Sequence, residues 1–246
     1  MTTSATWTPF EAPIGEILSQ YPEPLLALAH NEVPAFVLRQ HYDPAHCQAL
    51  MQRFYQRGLL YDPHQTGAGA SRVDIGTSFG RHRADREAFH AHSAETLALF
   101  ETLFDGYDDP VRSMYGALQE LAPSKQVKTA REPDGRLYGP AIFRVYHRET
   151  GHGPHYDSVA KRSQAFEYQI SRFEHQFAGI LCFQTSSKEA GTGEPYLYNC
   201  PFQPEITEHL TREKFPAYVA DQSIERVQVQ LEPGDLYFFC TENVHE

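Results

Sequence analysis

The hydrophobic period of the chain changes once, near residue 125, and this switch restricts the fold more than any other feature. Before it, apolar residues recur at helical spacing. Asp43 and Pro44 form an N-cap and first-turn pair, and Cys47, Leu50, Met51 and Phe54 follow on one face before Gly58. Further helices are expected at about 84–103, with Phe89, Leu97, Phe100 and Leu103 aligned, and at about 110–121, with Met114, Leu118 and Leu121. Residues 14–30 carry a helical pattern broken at Pro22 and Pro24, residues 1–13 are expected to be poorly ordered, and Val33 to Leu38 reads as a strand. After the switch come short apolar runs at 141–147, 177–185, 195–198, 227–231 and 236–240, with turn signals at Pro133-Asp134-Gly135 and Pro233-Gly234-Asp235. Helices followed by many short strands predict a mainly β protein, a sandwich or barrel buttressed by N-terminal helices. The 246 residues suffice for one such domain, divided as an extension (1–32), a helical support (33–125) and a β core (126–246).

Charge and cysteine content narrow the function. A net charge of −11 argues against a general nucleic-acid binder, which needs a basic face, and against a protein held on an anionic membrane. No apolar run approaches the roughly 20 residues of a membrane span, and the N-terminus lacks the basic and apolar segments of a signal peptide. The four cysteines, Cys47, Cys182, Cys200 and Cys240, show no C-x-x-C spacing, and Cys182 and Cys240 lie in apolar runs. These features predict a cytoplasmic protein without structural disulfides whose partner is a small molecule, and they leave homodimerisation open.

With thirteen histidines and 32 acidic residues, about two His-x-Asp/Glu pairs arise by chance. The chain has four, so context must choose among them. His30-x-Glu32 lies in a polar connection, Asp43 is better explained as a helix cap, and His147-x-Glu149 ends a strand. His155-x-Asp157 differs because it follows Gly151-His-Gly-Pro154, a backbone able to bend sharply beside a strand. His245, 90 residues downstream, follows a turn and an apolar strand that would return it to the barrel mouth. Two histidines and one carboxylate make a facial triad that leaves positions open on Fe(II). The same set with a bound water would serve a zinc hydrolase, and a non-catalytic β-sandwich would carry the three residues by coincidence.

These residues resemble the Fe(II)/2-oxoglutarate-dependent oxygenases from about Val33 onward. His155-Tyr-Asp157 matches the His-x-Asp motif of that superfamily, and Gly234-Asp-Leu-Tyr-Phe-Phe-Cys240 with His245 matches its G-D-L-x-x-F … H segment. Gly191 to Tyr198 resembles the G-G-x-L-x-x-Y strand between them, and Val33 to Arg39 with Asp43 to Cys47 resembles the entry strand and helix. Arg144, eleven residues before His155, and the long insert after Asp157 are similar to the branch holding N-substituted L-amino-acid hydroxylases and free-standing aliphatic halogenases. The resemblance implies a double-stranded β-helix (jelly-roll, cupin-like) core in a single oxygenase domain. It implies Fe(II) held by His155, Asp157 and His245, with 2-oxoglutarate and O2 as co-substrates. In the halogenases of this branch the carboxylate position is Gly, which leaves room for chloride. Asp157 therefore points to hydroxylation of an unactivated C–H bond in a small, anionic, amino-acid-derived or natural-product substrate.

A buried 2-oxoglutarate carboxylate needs a fixed cation, ideally an arginine fork. The resemblance places that arginine about ten residues past the second histidine, beyond Glu246, so the chain is expected to lack its closing strand and main co-substrate anchor. Arg144 is the remaining candidate. It shares a strand face with Ile142 and Tyr146, and it points inward if Ile142 faces the core; an outward Arg on an edge strand is the alternative. Arg81, Arg83 and Arg86, with Lys161 and Arg162, are basic residues placed to border a pocket mouth, and Arg83 and Arg162 are the substrate-binding candidates, against the alternative of a solvated surface. Thr66–Ser71 and 158–175 are candidate lids.

Overall fold

The computed structural model describes residues 7–60, 72–82, 84–146, 151–158, 167–185 and 194–246. Its helices are α1 (Ile14–Gln20), α2 (Pro24–Ala29), α3 (Pro44–Gln56), α4 (Phe79–His82), α5 (Arg86–Leu103), α6 (Pro110–Leu121) and α7 (Phe215–Asp221). Aspartates set the starts of the three long ones. The carboxylates of Asp43, Asp85 and Asp109 accept from the amides of Ala45, Ala88 and Val111, each at 2.8–2.9 Å. Each cap is worth about 1 kcal/mol, because first-turn amides have no partner within the helix.

The strands are β1 (Phe10–Glu11), β2 (Phe36–Leu38), β3 (Arg72–Gly76), β4 (Ile142–Tyr146), β5 (Phe177–Leu181), β6 (Tyr196–Pro201), β7 (Arg226–Gln228), β8 (Leu236–Cys240) and β9 (Asn243–His245). They form a four-stranded sheet in the order β1-β2-β8-β5, an antiparallel ribbon of β3 and β4, and a three-stranded sheet in the order β7-β6-β9. Every residue of β8 is buried, because the strand is covered on both faces. Leu236, Phe238 and Cys240 pack against Ile17, Leu28, Ala117 and Leu121 of the helices. Tyr237 and Phe239 pack on the other side against Ala35, Val37, Leu197 and Val229. Each large apolar side chain removed from water in this way contributes about 1.5–3 kcal/mol.

The ribbon also has two unlike faces. Its register pairs Val73 with Val145 and Ile75 with Phe143. Ile75 and Phe143 pack against Leu50, Phe54, Phe100 and Leu103 of α3 and α5. Arg72, Asp74, Arg144 and Tyr146 consequently point the other way.

The helix at 44–56, the helix at 110–121 and the strand at 236–240 fall where the sequence places them. The second long helix starts later than expected, at Arg86, because Asp85 caps it. The N-terminal stretch is ordered from Trp7, since Phe10 and Glu11 pair in parallel with Phe36 and Val37. Residues 126–141 hold a bridge between Arg131 and Leu137 around a turn at Gly135 and no longer strand. β3, β9 and α7 are additions to the expected elements. The four cysteines are unpaired. No described helix is long and apolar enough to cross a membrane.

The turn before β8 is tied down by charge. Gly234 has φ +93°, and a β-carbon there would sit 2.2 Å from the Tyr42 carbonyl, so only glycine fits. The neighbouring Asp235 side chain, 2% exposed, accepts from the amides of Gln40 and Glu232 at 2.9 Å and from Arg39 at 2.6 Å. Arg39 also forks onto Glu11 at 2.6 and 3.0 Å. Burial pushes the Asp235 carboxyl up, but the two amides and the guanidinium more than offset it and hold its pKa below the ordinary value. Such a group stabilises the fold above its unfolded pKa, and that contribution is lost as pH falls through the folded one. We expect Asp235→Asn to cost about 2–3 kcal/mol at pH 7 in denaturant melts, and the gap to wild type to narrow below about pH 4. A gap that widens in acid would assign the stabilisation to another group.

Candidate metal centre

Residues 155–157 run antiparallel to the end of the chain. The His155 amide donates to the His245 carbonyl at 3.0 Å, and the His245 amide donates back at 2.9 Å. Two residues on, with the pairing shifted by two residues on the partner segment, the Asp157 amide donates to the Thr241 carbonyl at 2.8 Å, and the Thr241 hydroxyl donates to the Asp157 carbonyl at 3.0 Å. His155 and His245 are therefore directly opposite each other, with ring centroids 4.3 Å apart. Asp157, two residues on, returns to the face of His155. Val244 anchors β9 from the other side; it is fully buried with Tyr198, Cys200, Ile206 and Phe215, which turns His245 toward the site. One ligand atom from each of His155, Asp157 and His245 lies within 4.8 Å of the other two.

The imidazoles are set up to coordinate. His155 Nδ1 lies 2.8 Å from the Gly153 carbonyl, and His245 Nδ1 lies 2.9 Å from the Asn243 carbonyl. A carbonyl only accepts, so each Nδ1 carries a proton, which leaves Nε2 as the nitrogen available to a metal. Burial pushes the His245 pKa down to about 4, with nearby His155 acting in the same sense, so the ring is neutral at pH 7. Two imidazole nitrogens and one carboxylate oxygen suit Fe(II), and equally Zn(II).

The surroundings are aromatic on one side and basic on the other. Phe239 stands edge-on to His245 at 5.0 Å, and Tyr156 stacks on Phe202 at 3.6 Å. The His152 ring lies 4.9 Å from His155 and 5.7 Å from Tyr146. Burial, then its neighbours His155, Arg72 and Arg144, push the His152 pKa down to about 4.

The sequence-predicted triad is thus brought together. Arg144 lies on the ribbon face turned toward His152, is exposed, and stands opposite Asp74 in register. The expectation that this face is the core face is corrected, since the Phe143 face packs on the helices. Arg86 is committed elsewhere, to the fully buried carboxylate of Glu132 at 2.5 Å. Arg83, Lys161, Arg162 and Thr66–Ser71 lie outside the described residues, as do 159–166 of the second lid candidate and the side chain of Arg81. Sequence reasoning missed His152 and Arg72. His152 had a local signal, its place between two glycines just before His155. Arg72 had none, because its approach depends on pairing with a strand 70 residues away.

Geometry and ligand chemistry make this a candidate metal centre of the two-histidine, one-carboxylate type. The family model of the carrier-protein-independent halogenase WelO5 matches residues 10–245, and the chain belongs to that family, within the Fe(II)/2-oxoglutarate-dependent oxygenases. Among solved structures, it is similar to an N-substituted L-amino acid dioxygenase from Burkholderia ambifaria AMMD in complex with alpha-ketoglutarate, with TM-score 0.53 and 16% identity over 90% of this chain and 79% of that one. A second structure of an N-substituted L-amino acid dioxygenase from the same organism gives TM-score 0.51 and 17% identity over the same shares. At such identities the likeness concerns the fold. A sequence comparison with curated proteins finds no match.

If the triad holds the metal, anaerobic titration of metal-free protein with Fe(II) will give one tight equivalent. Asp157→Ala should weaken it by roughly a hundredfold or more, since even outer partners of ligands are worth 10–100-fold. Wild-type affinity in this variant would place the metal elsewhere.

Proposed function

We propose that this chain is a 2-oxoglutarate-dependent hydroxylase of a small anionic substrate, with His155, Asp157 and His245 holding Fe(II). The observation that carries the reading is Asp157, which offers a carboxylate oxygen within 4.8 Å of a ring nitrogen of each of the two histidines. The halogenases of this branch keep that position open for chloride; here it is filled by an oxygen ligand. When bound, Fe(II) with 2-oxoglutarate and O2 supplies the oxidation of an unactivated C–H bond.

The remaining work belongs to the protein. The i−2 carbonyls of Gly153 and Asn243 hold both imidazoles in the ligating tautomer. Phe239 covers His245 and limits water on that side. Arg144, on the ribbon face beside His152, is the cation for a 2-oxoglutarate carboxylate, and Arg83 and Arg162 are the residues assigned to the substrate's own charge. N-substituted L-amino acids are the first substrate class to test, in line with the structural neighbours. The strands are read as a double-stranded β-helix in one cytoplasmic oxygenase domain. A zinc hydrolase has the same donor set available, but family membership favours iron and 2-oxoglutarate.

The test is a panel of small carboxylates and N-substituted amino acids, incubated with Fe(II), ascorbate, 2-oxoglutarate and O2, with and without chloride. Succinate and a product heavier by one oxygen are expected, in equal yield with or without chloride. A chlorinated product from the unmodified protein would overturn the reading. Arg144→Ala is expected to raise the KM for 2-oxoglutarate at least tenfold, by removal of a charge-assisted contact; an unchanged KM would remove Arg144 from co-substrate binding.

A further inference from the structure

His152 lies outside the triad, yet through it the ribbon of β3 and β4 reaches the triad. Its ring lies against that of His155 at 4.9 Å and 49°, with Tyr146 edge-on behind it at 87°. Arg72 Nη1 donates to its Nε2. A guanidinium has no lone pair, so Nε2 is the acceptor and His152 is held neutral with its proton on Nδ1. Arg72 is itself fixed: its Nε lies 2.9 Å from Asp74 Oδ1, on a carboxylate only 1% exposed and on the same strand face. The backbone around His152 is pinned as well. The Gly151 carbonyl accepts from Arg212 at 2.5 Å, and the Gly153 carbonyl accepts from His155 Nδ1. A β-carbon at Gly153 would press on Arg212 Cγ at 3.2 Å, so this loop follows a path that leaves little room for a side chain there.

We propose that His152 is a positioning residue for the metal site, held by the Asp74–Arg72 pair, which fixes the plane of the His155 ring and shields that ring from water. The torsion that turns a histidine ring is broad, so the one hydrogen bond at His155 Nδ1 restrains the ring plane and the packed ring of His152 completes the restraint. The ribbon thereby sets metal affinity from a distance. This inference rests on the reading of His155, Asp157 and His245 as the metal ligands.

The experiment measures anaerobic Fe(II) affinity and the visible band of the Fe(II)–2-oxoglutarate complex in wild type, H152A, R72Q and the double variant, with melting of each metal-free protein as the control for folding. H152A should bind Fe(II) about tenfold more weakly and shift the band, as removal of an outer partner of a ligand does. R72Q should show part of that loss. The double variant should lose no more than H152A alone, because Arg72 acts through His152. Wild-type affinity and an unshifted band in H152A, or losses that add in the double variant, would overturn the proposal. If H152A does not fold, H152F carries the comparison. It keeps a ring against His155 and loses the ring nitrogens, the acceptor for Arg72 among them, so it should lose affinity at least as R72Q does; wild-type affinity in H152F would remove the link to Arg72. Folded wild-type protein that binds no Fe(II) would overturn both the ligand reading and this one, whereas wild-type binding with H152A unchanged sinks this one alone.

Discussion

Two backbone hydrogen bonds between His155 and His245 join segments 90 residues apart, and the candidate site exists only because they form. Pairing places the histidines opposite each other, and the two-residue period of extended chain brings Asp157 to the same face. The Asp157–Thr241 bonds, shifted by two residues from that register, tie down the next stretch of the same segment. A slip of one residue would turn His245 away and present Val244 or Glu246 instead. Val244 guards against that slip, because its full burial on the opposite side fixes which way β9 faces.

That register is held by the core behind it. β8 is closed on both faces and leads directly into the residues that pair with Asp157 and His155. Packing on α1, α2 and α6 and on β2 and β6 therefore fixes where His245 can lie. At the other end of β8, Gly234 and the Asp235–Arg39–Glu11 cluster fix where the strand begins. A site built on rigid extended chain holds its ligands more precisely than one built on free loops, which matters when a few tenths of an ångström decide coordination.

Charge is handled in a consistent way in this acidic chain. Asp74, Asp235 and Glu132 all have carboxylates almost fully out of water, and each faces an arginine: Arg72, Arg39 and Arg86. Burial of an unpaired carboxylate is costly, so these pairs are obligatory, and each ties together parts of the chain that packing alone would leave loosely registered. Glu132 receives the Tyr138 hydroxyl and the Gln169 amide as well as Arg86, and although burial raises its pKa, these contacts bring it below the ordinary value. The histidines at the candidate site are treated in the opposite way: burial first, and then their neighbours, push the pKa values of His245 and His152 down, which suits metal ligation.

Local chemistry was readable without coordinates. Asp43-Pro44 and Asp109-Pro110 start helices because cap and first-turn preferences are properties of a few adjacent residues. The run from Leu236 to Cys240 is a strand because five consecutive apolar residues between a Pro-Gly-Asp turn and a polar stretch fit a strand covered on both faces. His155, Asp157 and His245 were identifiable because their motif context is also local. β3 and β9 were not readable, since a strand of three to five mixed residues exists only when a partner supplies its hydrogen bonds. For the same reason the side of β4 that Arg144 occupies, the commitment of Arg86 to Glu132, and the approach of Arg72 to His152 were decided by long-range pairing. By itself, then, the sequence determined which residues are candidates for the site, through turn, cap and motif signals that act over a few positions. The tertiary structure alone decided which of them meet, because register and burial are set between segments far apart along the chain.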